Sequence, residues 1–359
     1  MKRDLVTIII PTYNERDNID PLVSGIKEAI GEYEYEVLFV DDDSRDGTAA
    51  EIKRLSASHP VRVIVRTGER GLASAVVEGI RQAQGGLLVV MDADLQHPPP
   101  VIHELIKAIE GGAGIVIASR YAKGGSVPDW GPVRRLISKG AIFLAHLLLP
   151  LSRKVKDPVS GFFAFRKEVV AGARLQPTGY KILLELLMEG KYERVSEVPF
   201  TFSTRSAGKS KLTLRQQVHY LKHLLSLMRR KGELARIAKF MLVGLSGVGV
   251  NMGLLWLFTE VVGYHYLVSA AIGIETSIVS NFLLNNYFTF NDRNRPGAGN
   301  FFRRLVKFNT ISLGPVVVNL AILLALTEGA DFYYLVSNIF GIAAAIAWNF
   351  LANNWWTWR

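Results

Sequence analysis

Two carboxylates and an amide stand at alternate positions in Asp92-Ala-Asp-Leu-Gln96, directly after the apolar run Leu87–Met91. Alternate residues of an extended segment point the same way, so Asp92, Asp94 and Gln96 share one side. Hard oxygen donors at that spacing suit Mg2+ or Mn2+, which keep coordination positions open for substrate phosphates. The competing reading is an acidic loop that caps a helix starting near Pro98. A second acidic group, Asp41-Asp-Asp43, follows the run Val37–Val40. Carboxylates there can accept hydrogen bonds from the N–H groups of a nucleobase. Glu15 can hold a ribose diol in the same manner, whereas Asp43 and Asp46 read better as helix N-caps. Opposite in charge are Arg120, Arg134, Arg135, Lys139, Arg205, Lys209 and Lys211, which are candidate phosphate binders as a set. Arg134 and Ser138 are four apart and share one helix face. Ser203–Lys211 is small, polar and basic, and reads as a loop. The chain has no cysteine, which excludes thiol catalysis, disulfides and cysteine-bound zinc.

These groups need a scaffold, and the chain supplies an alternating one. Val6–Ile10, Glu36–Val40, Val61–Val65, Leu87–Met91 and Ile115–Ala118 are short apolar runs, with helical patterns between them at about 20–30, 47–57, 71–84 and 98–110. The rhythm predicts an α/β fold, a mostly parallel sheet with helices on both faces. Ligands of such sheets bind beyond the carboxyl ends of the strands, which is where the acidic clusters fall. The first apolar run is too short for the core of a signal peptide. Two further stretches are amphipathic. In 212–230, Leu214, Val218, Leu221, Leu225 and Met228 recur at steps of four and three between basic residues. The stretch 133–151 starts basic and turns apolar. Both are expected to lie at a membrane surface, with packing on the soluble core as the alternative. The formal charge of +10, from 42 basic and 32 acidic residues, calls for an anionic partner. The basic residues cluster beside acidic sites and amphipathic helices, which weighs against nucleic acid.

The 359 residues suggest two domains, and composition changes where the second begins. Hydrophobic residues make up 49% overall, and from Ile237 onward they dominate. Four apolar stretches, about 237–262, 267–290, 305–327 and 334–358, each hold roughly the 20 residues that a spanning helix needs. The linkers 263–266 and 329–333 contain no Lys or Arg, while Arg293, Arg295, Arg303, Arg304 and Lys307 crowd the central loop. The excess of cations predicts that both termini, the central loop and the polar clusters are cytoplasmic, with Trp355, Trp356 and Trp358 at the interface. A shift of 68 residues superimposes the two halves without gaps, with 22 identities in 52 positions, among them Lys239-Phe240 on Lys307-Phe308 and Thr259-Glu260 on Thr327-Glu328. Each half enters from the same side, so these are parallel repeats. The domains are therefore 1–211, an interface helix at 212–231, and a membrane domain at 232–359. Glu275 is an acid inside the second stretch, either functional or paired with a polar neighbour.

Taken together, Pro11-Thr-Tyr-Asn-Glu15, Val40–Thr48, Arg70-Gly-Leu-Ala-Ser-Ala75, Met91–Pro98, Ser119-Arg-Tyr121, Asp157-Pro-Val-Ser-Gly-Phe162, Gly179–Glu185 and the Val198–Leu212 stretch resemble the dolichyl-phosphate mannose synthases. These are inverting family-2 glycosyltransferases of the GT-A fold, and the resemblance covers about residues 4–212. The duplicated half is similar to the GtrA-like four-helix family. The resemblance implies that GDP-mannose is held by Pro11, Tyr13, Glu15, Val40, Asp42, Asp92, Ala93, Asp94, Gln96, Arg205 and Lys211. It implies a Mg2+ or Mn2+ ion on Asp92, Asp94 and Gln96, and a dolichyl phosphate met by Arg120, Arg134 and Ser138. Asp94, Arg120 and Arg205 would carry the catalytic work. A phosphate acceptor needs no general base, because its second pKa is about 6 and it is dianionic at neutral pH. No residue stands out as a base, and Glu185 and His97 read as structural or positioning groups. A polyprenyl-phosphate transferase using a UDP-sugar is the alternative enzyme, and a lipid-linked sugar translocator with a nucleotide-sugar-binding module is the alternative of another class. A processive polysaccharide synthase is disfavoured, since the chain lacks the Arg-Trp pair of such enzymes.

Overall fold

All five apolar runs become strands, because β-branched residues buried on both faces are best accommodated between two layers of helices. The computed structural model describes residues 5–68, 70–176, 180–202, 214–293 and 297–358. It divides into two compact units, Met1–Lys231 and Gly232–Arg359.

The first unit runs β1 (Val6–Thr12), α1 (Arg16–Ile30), β2 (Tyr35–Asp41), α2 (Thr48–Leu55), β3 (Val61–Val65), α3 (Leu72–Gln82), β4 (Leu87–Val90), α4 (Val101–Glu110), β5 (Ile115–Ser119), α5 (Pro132–Leu148), β6 (Phe163–Arg166), α6 (Ile182–Glu189), β7 (Val195–Pro199) and α7 (Leu214–Arg230). The sheet order is β3-β2-β1-β4-β6-β5-β7, and β6 alone runs against its neighbours. Every other strand therefore delivers its carboxyl end to the same edge. Register makes the delivery level: Thr12 lies beside Asp41, and Ile9 beside Val90. Helix α3 comes close to this centre, since a Cβ on Gly79 would stand 2.4 Å from Ile9 Cγ2. The sequence periodicity did not disclose β6 and β7, which are short and owe their place to pairing with residues distant in the chain.

Helix α7 is apolar on two faces. Tyr220, His223, Leu224, Leu227 and Met228 are buried, while Val218, Leu221 and Leu225 are exposed. Of the stripe read from sequence, three members thus point away from the first unit, and only Met228 among these four packs inward. Helix α5 buries just Ile142 and Ala145 and leaves Val133, Leu136, Ile137 and Phe143 exposed. Glu185 ties α6 to α7. Its carboxylate accepts hydrogen bonds from His223 Nε2 at 2.9 Å and from Arg230. Burial alone would raise its pKa, but these partners outweigh that and hold it below the usual range. Glu185 is a structural group, as its sequence context suggested.

The second unit contains α8 (Glu233–Trp256), α9 (Tyr266–Leu284), α10 (Ala298–Ser312), α11 (Gly314–Gly329) and α12 (Tyr334–Ala352). Three described stretches, Glu233–Val261, Tyr266–Thr289 and Gly299–Gly329, are long and apolar enough to cross a membrane. The third differs from the continuous span expected at 305–327. It breaks at Leu313, because Pro315 in the first turn of α11 has no N–H to continue the ladder. The 68-residue shift carries α9 onto α12 end to end, and carries the wide turn Asn285–Thr289 onto Asn353–Thr357. It also carries one close contact onto another. Asn251 Oδ1 would lie 2.6 Å from a Cβ at Gly273, and Asn319 Oδ1 would lie 2.1 Å from one at Gly341. Glu275 has the polar partner of the simpler reading, Asn309, whose Nδ2 donates to Oε1 at 3.1 Å. Trp355 and Trp356 are exposed, but Trp358 is not at the surface as expected. It stacks on Phe290 at 4.2 Å inside an aromatic core with Phe282 and Phe308. Trp355 and Trp356, three and two residues before it, lie on other faces of the terminal turn.

Candidate active site

Parallel strands whose ends are level leave loops that can bond to one another, and the first two do so. Asn14 N donates to Ser44 Oγ, Arg45 N to Asn14 Oδ1, Glu15 N to Thr48 Oγ1 and Arg16 N to Asp46 Oδ2, all between 2.8 and 3.1 Å. Asp46 also accepts from Thr48 N at 3.0 Å just before α2, although the N-cap position itself is Gly47 and not Asp46 as expected. Asp43 does not cap. It takes a positive φ of 57° and faces Arg70 at 3.6 Å. The Glu15 carboxylate accepts from Asn18 at 2.7 Å. Tyr13 is exposed beneath the Arg70 guanidinium, 5.1 Å from its ring centroid.

Asp42 is more committed than the sequence suggested. Its Oδ1 accepts from Arg66, and its Oδ2 accepts from Gly71 N at 2.7 Å. Arg66 in turn donates to Ser74 Oγ at 2.9 Å. Asp42 thus braces the Arg66–Ser74 loop. Arg66 was missed because it belongs to no motif and meets Asp42 only through the β2–β3 pairing. Val40 is fully buried, as is nearly all of Ala93.

The Asp92–Gln96 turn is tight. Asp94 Oδ1 accepts from Gln96 N at 3.2 Å, and Leu95 between them has φ 61°. His97 Nδ1 accepts from Asp92 N at 3.0 Å, and its ring stacks on Phe162 with Phe200 and Phe202 at its edges. Burial pushes its pKa down, so His97 is a neutral wedge that orients Asp92. The donor set fits a hard divalent cation: two carboxylates and an amide, with the one nearby imidazole nitrogen already occupied. Among the described residues no three His, Asp or Glu side chains form a cluster able to hold a metal by themselves. Remaining ligands would have to come from substrate and water.

Space around Asp92 is limited. A Cβ at Gly161 would lie 3.3 Å from Asp92 Oδ2 and from His97 Cε1. Gly161→Ala is expected to lower kcat by about 10- to 100-fold by displacing this carboxylate, with the acceptor KM little changed. Steady-state kinetics with each substrate varied would check it.

On the basic side, Arg120 is buried, and its guanidinium grips Asp157 with two bonds of 2.8 Å. Two of its five N–H donors are so used, and the others can take an anion. Trp130 sits between the cations, its ring centroid 5.2 Å from Arg120 Cζ and 4.2 Å from Arg134 Cζ. Ser138 Oγ accepts from Tyr121 OH at 2.9 Å. The fold thereby gathers Arg120 and Arg134 around one indole, with Ser138 held by Tyr121. Asp157 and Lys181, which motif reading left without a role, lie close to Arg120. Lys181 Nζ donates to Val159 O at 2.7 Å, and its pKa is lowered to about 8, first by burial and then by Arg120. Arg205, Lys209 and Lys211 lie outside the described residues.

The family models agree with this division. Residues 7–172 match Glycosyl transferase family 2, and residues 239–358 match the GtrA/DPMS transmembrane domain. A dolichol-phosphate mannosyltransferase of Pyrococcus furiosus is 48% identical over 353 residues, 98% of this chain and 99% of that protein. The chain belongs to the dolichol-phosphate mannosyltransferase family. It is a membrane protein of that family, with a glycosyltransferase unit followed by a helical membrane unit. A relative with the same name from Mycosarcoma maydis is 40% identical over 235 residues, 62% of this chain and 79% of that protein. A solved structure of glucosyl-3-phosphoglycerate synthase from Mycobacterium tuberculosis, in complex with Mn2+, UDP-glucose and phosphoglyceric acid, is similar in fold. Its TM-score is 0.50 at 18% identity, over 63% of this chain and 80% of that one.

Proposed function

We propose that this protein transfers mannose from GDP-mannose to dolichyl phosphate with inversion at the anomeric carbon, releasing GDP. The observation that carries the reading is the near-full-length match to the Pyrococcus furiosus dolichol-phosphate mannosyltransferase. The opposed site supports it: a carboxylate turn at Asp92–Gln96 suited to a cation, and buried Arg120 with Arg134 around Trp130 suited to a lipid-borne phosphate. Tyr13, Glu15 and the loop braced by Asp42 hold the nucleoside. Asp92, Asp94 and Gln96 would hold Mg2+ or Mn2+ with the diphosphate. The cation supplies neutralisation of the charge that grows on the leaving group. Arg120, fixed by Asp157, and Arg134 bring the acceptor phosphate towards the sugar despite its like charge, and so orient it for in-line attack. His97 moves no proton, because the acceptor arrives ionised. Exposed Val133, Leu136 and Ile137 beside Arg134 support a lipid-facing surface on α5. The positive-inside bias supports a cytoplasmic site and cytoplasmic termini, with α12 completing four spans. Arg205 and Lys211 close over the diphosphate.

The test is to offer labelled GDP-mannose, GDP-glucose and UDP-glucose to the purified protein with dolichyl phosphate and either metal. Transfer from GDP-mannose alone is the expected result. Preference for a UDP-sugar would overturn the donor, and failure to label any lipid would overturn the reaction.

Lys181 adds a pH dependence. Below about 8 it is charged and aids an anionic acceptor, and above that it is neutral. The acceptor KM should rise as pH climbs through this value while kcat moves less. Lys181→Gln should flatten that rise, and a profile unaltered by the substitution would remove Lys181 from the site.

A further inference from the structure

The second unit contains a cavity of about 380 Å³ lined by Arg293, Asn300, Arg303, Arg304, Lys307 and residues 356–358. Asn300, Arg303, Arg304 and Lys307 recur at steps of three, one and three, so α10 presents them as one stripe. Its other side, Phe301, Leu305 and Phe308, packs on the aromatic core. Among the described residues that line the cavity there is no Asp or Glu.

The internal repeat shows what is unusual here. In the first half, Lys239 Nζ lies 4.7 Å from the Phe288 ring, and the equivalent Lys307 lies 5.3 Å from the Trp356 ring. The cradle is the same, but the charges differ. Arg236 is neutralised in the first half by Glu233 and by Asp292 at 2.7 Å. In the second half, the equivalent of Arg236 is Arg304, that of Glu233 is Phe301, and that of Ala235 is Arg303. One acid is lost and one cation is gained. Arg293 is turned towards Glu233 at 2.8 Å and towards Asn354. Among the described residues, Arg303 has no ion pair.

We propose that this cavity binds the phosphate of an anionic membrane lipid, as a site separate from the acceptor site of the first unit. Guanidinium forks and an ammonium suit phosphate oxygens. A lipid rather than a soluble phosphate is favoured by the flank of the same helix and the residue that ends it, where Phe302, Val306 and Leu313 are each more than 60% exposed and could lie along acyl chains. Trp355 and Trp356 are exposed, and such residues favour the depth of headgroups.

The test is native mass spectrometry of the full chain in detergent with added phosphatidic acid or phosphatidylcholine. One strongly retained phosphatidic acid per chain is expected, with little phosphatidylcholine. Arg303→Ala, which copies the first half on an exposed helix face, should weaken retention severalfold. Arg303→Ala with Lys307→Gln should weaken it about tenfold or more, since each cation near a membrane surface contributes attraction. Lys53→Gln, a surface cation of the first unit, should leave retention unchanged. Equal retention of both lipids by the parent, or undiminished retention in Arg303→Ala, would overturn the proposal. Glycerol phosphate is the soluble arm: if it bound as tightly as phosphatidic acid, the lipid assignment would fall.

Discussion

Asp94→Asn should retain the fold and lose turnover by about 1000-fold, on the order of what a preorganised electrostatic group supplies at a leaving diphosphate. Asparagine keeps the acceptor oxygen that takes the Gln96 N–H at 3.2 Å, so the tight turn through Leu95 survives. What it loses is the negative charge a hard divalent cation requires. Asp94→Ala would also lose the turn bond, at about 1 kcal/mol. The asparagine variant therefore separates chemistry from folding. The measurement is single-turnover transfer at saturating donor, with the thermal midpoint recorded alongside. Excess chelator should stop the parent enzyme, and Mg2+ or Mn2+ should restore it. Near-normal turnover in the variant, or in chelator, would refute the cation role of this turn.

The second large effect is on stability. Asp157 is fully buried and takes both forks of Arg120, itself 8% exposed, together with the Arg120 backbone N–H at 3.1 Å. Asp157→Ala leaves a guanidinium in a site shielded by Trp130 and Phe202 without its counter-charge. Breaking such a pair from one side costs about 3–5 kcal/mol, which corresponds to a fall in Tm of roughly 10 °C for a unit of this size. Acceptor affinity should fall as well, since Arg120 loses the partner that aims it. Thermal unfolding with and without dolichyl phosphate would measure both. A midpoint within a degree of the parent would show that water or another group already satisfies Arg120.

The five apolar runs were legible as strands because their side chains carry the pattern of a doubly covered sheet in a few consecutive residues. The Asp92–Gln96 cluster was legible as a set of hard oxygen donors, but not its conformation: the segment is a tight turn with Leu95 at φ 61°, not the extended stretch that alternate spacing implied. The duplication was plainer still, because Asn, Lys-Phe and Thr-Glu matches at one shift do not arise from apolar composition. Local pattern could not reveal pairings made between distant segments. Strand β6 enters between β4 and β5 against the direction of both, and four residues have no periodicity to announce that. Arg66 met Asp42 only when β2 and β3 paired. Trp358 reads like its neighbour Trp356, yet one is buried and the other exposed. In α7 the apolar residues served two faces, and only packing against α5 and α6 decided which face was covered.

Residue order by itself therefore determined the α/β class, the membrane half with its repeat, and the acidic and basic groups available for chemistry, since each depends on composition and spacing along a few turns or strands. Only the tertiary structure decided which charges are already satisfied: Asp42 by Arg66, Arg120 by Asp157 and Glu185 by His223 and Arg230, while among the described residues Arg303 has no ion pair. Neutralisation acts over a few ångströms in space, and segments far apart in the chain supply the partners.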